Sequence, residues 1–184
     1  MPRLPTLSLD GMTDAQRAVY DTISTGPRGS GARGPFNAWL QSPDFANRAQ
    51  HLGVFLRFGA SFSARLKELA ILTVARHWTA QFEWYAHKKL AIDNGLTIDV
   101  INAVETRNRP DFVNDDEAAV YDFSVELHAT HGISDDTYAN AEKHLGAAGV
   151  VELVGLLGYY TLVSMTLNVF EVPLPEGEPL PLNP

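Results

Sequence analysis

The chain has 184 residues, 45% hydrophobic and 20% charged, which suits one globular domain that buries a core without staples. Its 14 Lys and Arg stand against 22 Asp and Glu, a net charge of −8, so a nucleic-acid partner is not expected. The absence of cysteine excludes disulfides, thiolate nucleophiles, Cys-ligated zinc and CxxC redox chemistry.

The opening MPRLPTLSLDGMTDAQ has no apolar signal-peptide region, and a cytoplasmic protein is expected. Thr13 with Gln16 forms a predicted capping box, and the first helix is placed at 13–25. The stretch GPRGSGARGP (26–35) has glycines and basic residues that could cradle an anion. Its spacing matches no phosphate-loop motif, and it reads as a mobile loop. Ser42 opens SPDFANRAQHLGVFLRFGA, with Pro43 at the first helical position. Ser63 is the expected cap of ARLKELAILTVARHW. Thr79 is the expected cap of AQFEWYAHKKLAIDN, which Gly95 ends.

Further along, Thr97 caps IDVINAVET. Asn114 with Glu117 is read as a second capping box before DEAAVYDFSVELHATH, which Gly132 closes. Ser134 caps DDTYANAEKHL, which stops at Gly146. The apolar run VVELVGLLGYYTLVSMTLNVF (150–170) is long enough to span a bilayer. Glu152, Asn168 and the lack of a following basic flank make it a buried core helix instead, and no membrane is expected. The proline-rich end, 172–184, cannot stay helical and is expected to lie extended over a neighbouring surface. No run alternates with period two, so the fold class is all-α, with about seven or eight helices.

An internal echo also runs through the chain. DAQRAVYD (14–21) resembles DEAAVYDF (116–123), and KELAILTVARHW (67–78) resembles VELVGLLGYYTL (151–162). The second match aligns Glu68 with Glu152 and His77 with Thr161. It suggests a degenerate duplication in which only the first copy kept ionisable groups.

The chemistry concentrates in RHWTAQFEWYAHKKLA (76–91). Glu83 and His87 stand at i and i+4, so a carboxylate and an imidazole share one helix face. A neighbouring carboxylate raises the imidazole pKa and apolar burial lowers it, and the balance suits acid–base work. Glu68 borders an apolar stripe on the preceding helix and needs a partner if buried. His87 on an antiparallel neighbour is one candidate, and a surface pairing with Lys67 or Arg65 is the other. His77, Glu83 and His87 could be gathered around a metal, but neither an HExxH nor an ExxH pair occurs, and no metal is expected.

The segment RLKELAILTVARHWTAQFEWYAHKKLAIDNGL is similar to the central segment of the carboxymuconolactone decarboxylase family, within the alkylhydroperoxidase-D-like superfamily. GPFNAWLQSP, AAVYDF and VVELVGLLGYYTLVSMTLNVFEVPLPEG resemble segments of its cysteine-free branch. The likeness covers about residues 34–177, within one domain of residues 1–184. Redox members of the superfamily have a Glu, a Cys twelve residues on, a second Cys in CxxC spacing, then a His. The corresponding positions are Glu68, Ala80, Glu83 and His87, so both sulfurs are replaced.

The resemblance implies a helical bundle that assembles as a homo-oligomer, a trimer or hexamer; the aromatic segment FNAWL and the proline-rich end fit such an assembly. A peroxidase is excluded for want of a thiol. What remains suits a lyase that decarboxylates a small carboxylated lactone or cyclic acid, or a related acid–base enzyme, with no cofactor. In that reading His87 is the acid/base, Glu83 its orienting or second acid/base group, and Glu68 a relay behind them. Trp84 and His77 shape the pocket, Arg65 holds a substrate carboxylate, and Asn168 is either a pocket group or a buried amide bonded to backbone. Two other readings stay open: a non-catalytic oligomeric protein that binds small molecules, and a metal-dependent enzyme.

Overall fold

The computed structural model describes residues 2–29, 31 and 33–183, and every regular element among them is helical. A short 3-10 turn, Leu9–Gly11, precedes α1 (Asp14–Thr25). Then come α2 (Phe36–Trp39), α3 (Pro43–Val54) with a π-helical turn at Phe55–Gly59, α4 (Ala64–His77) and α5 (Gln81–Asp93). The rest is α6 (Ile98–Glu105), α7 (Asp115–Thr130) and α8 (Asp135–Val169). Ser30 and Ala32 of the predicted loop lie outside the described residues.

Several helix starts follow local chemistry. The Thr13 hydroxyl accepts from Gln16 N, and the Gln16 side chain accepts from Thr13 N at 2.9 Å, the reciprocal capping box. Ser63, Thr97 and Ser134 accept from the backbone of Leu66, Val100 and Thr137. Gly146 has φ 68° and ψ 167°, so α8 is two helical segments that meet where the glycine predicts a stop.

Other expected caps fail. Thr79 does not cap α5; Ala80 takes that place without a side-chain bond, and Thr79 sits in the left-handed region at φ 48°. Asn114 makes no capping hydrogen bond; the Glu117 N–H donates to Asp116 Oδ1 at 2.8 Å instead, and the Glu117 side chain pairs with Arg65. The left-handed residue that ends α7 is His131, not Gly132.

Helix α4 is the hub and packs against α5, α7 and α8. Its Leu66, Ala70, Ile71 and Val74 join one core with α8 residues Leu153, Leu156, Leu157 and Val163. Its opposite face, Leu69, Leu72 and Ala75, joins a second core with Trp84, Ala91 and Ile101. By length and composition the apolar helix Asp135–Val169 could cross a membrane, with a mean hydropathy of 1.6 over its most apolar window. Of that window, 56% is buried inside the fold.

FNAWL does not form a surface patch. Phe36, Ala38, Trp39 and Leu40 are all buried, and Trp39 Nε1 donates to Thr166 Oγ1 at 2.9 Å. The C-terminal segment docks on its own chain. Leu182 is buried, its N–H donates to Gln81 Oε1 at 2.9 Å, and Gln81 Nε2 donates to Leu182 O at 2.8 Å.

Candidate active site

Helix α4 presents Glu68 toward α5, and α5 presents Glu83 and His87 one turn apart. All three side chains are buried. His87 Nδ1 lies 2.6 Å from Glu68 Oε2, and His87 Nε2 lies 2.9 Å from Glu83 Oε1. Each ring nitrogen therefore faces a carboxylate. Burial lowers the His87 pKa, but the charges of Glu68 and Glu83 and their hydrogen bonds outweigh it, and the value rises to about 9. Near neutral pH the ring is an imidazolium donating on both sides. Tyr160 meets it edge-on, with ring centroids 5.3 Å apart.

Glu68 has no claim on the alternative partners. Lys67 Nζ donates to Ala60 O at 2.8 Å and to Arg57 O at 3.4 Å. Arg65 binds Asp116 at 2.8 Å and Glu117 through its other terminal nitrogen. Buried carboxylates need partners, and for Glu68 the partner is His87.

Glu83 and His87 line a cavity of about 810 Å³. Its other walls come from the loop after α1, the π-helical turn, α8 and both terminal segments. Three arginines line it: Arg28 and Arg33 from the loop, and Arg57 from the π-helical turn. None of the three pairs with a carboxylate among the described residues. Arg28 lies over the Phe36 ring at 5.2 Å, and its Nε is buried without a hydrogen-bond partner. Its Nη2 donates to the Tyr159 hydroxyl at 3.4 Å.

Burial pushes the Tyr159 phenol up to about 12 despite the nearby Arg28 charge. Burial likewise raises Tyr160 well above its ordinary value, against the opposing charge of Arg57. Both phenols stay protonated through the neutral range. Gly53 of α3 makes room for this corner, since a Cβ there would overlap the Tyr159 hydroxyl and the Arg28 guanidinium.

The remaining sequence candidates lie outside this cavity; the expected roles of Trp84, His77 and Arg65 need correction, while Asn168 takes its backbone-bonded alternative, exposed rather than buried. Trp84 is 0% exposed, packs in the second core and does not line the cavity. Arg65 is tied to α7 and is not available to a ligand in the cavity. Asn168 is exposed, and its Nδ2 donates to Trp78 O at 2.8 Å. His77 lines a separate cavity of about 160 Å³, its ring centroid 4.8 Å from that of His128.

Arg57, Tyr159 and Tyr160 escape a reading of the sequence, and Arg28 and Arg33 show only as basic residues of a loop that could cradle an anion. The alternation of Arg and Gly in residues 26–35 is the one local signal for the latter two. Arg57 looks like any exposed residue on an amphipathic helix until the π-turn rotates it inward. Among the described residues, no group of three or more His, Asp or Glu is arranged to hold a metal ion.

No family model matches the sequence, and a search of curated proteins finds no match. Solved structures do match. An uncharacterized peroxidase-related protein from Ralstonia eutropha JMP134, described as an alkylhydroperoxidase AhpD core, superposes with a TM-score of 0.78 at 13% identity. That alignment covers 95% of this chain and 93% of the other. An AhpD-type protein of unknown function from Agrobacterium tumefaciens gives 0.67 at 18% identity, covering 78% and 99%. The debrominase Bmp8, solved as a variant with 2,3,4-tribromopyrrole, gives 0.73 at 13% identity, covering 97% and 92%. Helix order, an all-helical core and these superpositions together place the chain in the AhpD-like fold.

Proposed function

We propose that the chain is an acid–base enzyme of the lyase type, working without an organic cofactor on a small carboxylated lactone or related cyclic acid. One observation supports this above all: a buried imidazolium between two carboxylates forms the wall of a cavity lined by three arginines without carboxylate partners. In a chain of net charge −8, such a concentration of guanidinium without carboxylate partners favours an anionic ligand. The AhpD-like fold also holds a small ring in the debrominase complex, and the cavity volume suits a molecule of that class.

In the proposed step the arginines grip the ring carbonyl and a carboxylate that is retained. The carboxylate that departs lies away from them, since binding it tightly would stabilise the ground state. The bond from the ring to that carboxylate breaks, and its electron pair moves through the conjugated double bond onto the ring carbonyl oxygen. Guanidinium and phenol donors stabilise the developing oxyanion. CO₂ leaves, and the electron pair returns to form a new C–H bond with a proton from His87, passed through Glu83. Water restores that proton. The sum is one proton taken up and one CO₂ released, with no oxidant or thiol involved.

The test is CO₂ release and ultraviolet absorbance with carboxymuconolactone and related lactone acids. Wild type is expected to turn over at least one of them. His87→Gln should lower kcat by about 10²–10⁴-fold, the usual contribution of a positioned acid–base group. Full activity in His87→Gln, or no turnover of any lactone acid by wild type, contradicts the reading.

A further inference from the structure

The cavity of about 160 Å³ opens where the end of α4, the residues after α6 and the middle of α7 meet. Its wall gathers the guanidiniums of Arg76 and Arg107, neither of which forms an ion pair with a carboxylate among the described residues. Arg76 is 6% exposed, and Arg107 lies across from it. Arg76 Nη1 and Arg107 Nη2 both donate to Thr79 Oγ1 at 3.1 Å, so the two nitrogens are no farther apart than twice that distance. Two guanidiniums so close repel each other; burial lowers the Arg76 pKa, and the charge of Arg107 lowers it further. Glu105, whose charge acts on Arg76, is itself held by Lys88 at 2.8 Å. Asp122 is held by Arg109 at 2.8 Å.

Part of this arrangement is the shared contact with Thr79, which sits in the left-handed region at φ 48°. The contact uses only one N–H of each guanidinium, and a guanidinium has five. Arg76 Nε remains buried with no hydrogen-bond partner. Elsewhere the wall has no hydroxyl to spare: Thr73 donates to Leu69 O, Ser124 to Val120 O and Tyr121 to Asn108 O. His128 Nδ1 is engaged with Ser124 O at 2.8 Å. The unspent donors of the pocket are therefore the two guanidiniums and the His77 ring at the mouth.

We propose that this pocket binds a small oxyanion of the phosphate or sulfate class, held by Arg76 and Arg107 with His77 at the rim. An ion of this class accepts several hydrogen bonds in a small volume and neutralises the facing guanidiniums. The pocket is too small for the cyclic acids proposed for the larger cavity, and the two sites share no lining residue.

Titration calorimetry of the full chain with inorganic phosphate and with sulfate, at constant ionic strength, tests the site. Wild type is expected to show saturable binding. Arg107→Gln changes an exposed residue and should fold; it is expected to weaken binding about tenfold or more, the loss of one charge-assisted hydrogen bond. Arg57→Gln removes charge from the larger cavity and should leave this binding in place. Absence of saturable binding to wild type overturns the proposal. So does unchanged affinity in Arg107→Gln, or binding lost in Arg57→Gln and kept in Arg107→Gln.

Discussion

His87 has a carboxylate at 2.6 Å on one nitrogen and another at 2.9 Å on the other. Such a ring is fixed in orientation and held in its charged form. It cannot reach a substrate directly with Nε2, because Glu83 stands there; the proton has to pass through that carboxylate or displace it. The corner opposite depends on a residue with no side chain. Gly53→Ala forces a methyl group into the Tyr159 hydroxyl and the Arg28 guanidinium. The expected outcome is a loss of about 1–3 kcal/mol in urea-unfolding stability, as for other overpacked sites. KM for the lactone acid is expected to rise as Arg28 is displaced.

At the scale of the element, α5 has two jobs on two faces. Glu83 and His87 serve the cavity, while Trp84, one residue on from Glu83, fills the second core with its indole fully buried. Trp84→Ala is therefore expected to cost about 3–5 kcal/mol of stability, read from the denaturant midpoint. Residual turnover per folded molecule should persist, because the residue does not touch the cavity. This division explains what the sequence discloses and what it hides. Glu83 and His87 are legible because helical spacing alone brings them together, and the helices themselves are legible from caps such as Thr13 with Gln16. Glu68 was legible only in part, since its partner lies nineteen residues on in a different helix. Trp84 misleads because an aromatic beside a reactive pair looks like a pocket wall until the helix phase is known. The arginines are hidden because loop conformation and a π-turn, rather than periodicity, aim them.

At the scale of the whole molecule, the buried ionic line couples function to stability. The His87 pKa rises from the ordinary 6.5 to about 9 on folding. Because it is raised, its stabilising contribution is complete below pH 6.5 and fades as pH climbs through 9. The full effect is on the order of 3 kcal/mol. Urea unfolding of wild type and His87→Gln should accordingly show a wild-type advantage at pH 6 that narrows by pH 9.5. The same proton governs the proposed reaction, which requires the imidazolium. The pH profile of kcat/KM for CO₂ release, compared between wild type and Glu68→Gln, is the most direct test of that link. A wild-type profile that falls near pH 9, and a fall that moves to lower pH once the Glu68 charge is removed, is the predicted result. Activity that rises through pH 9, or a limb that stays in place in Glu68→Gln, would contradict the account.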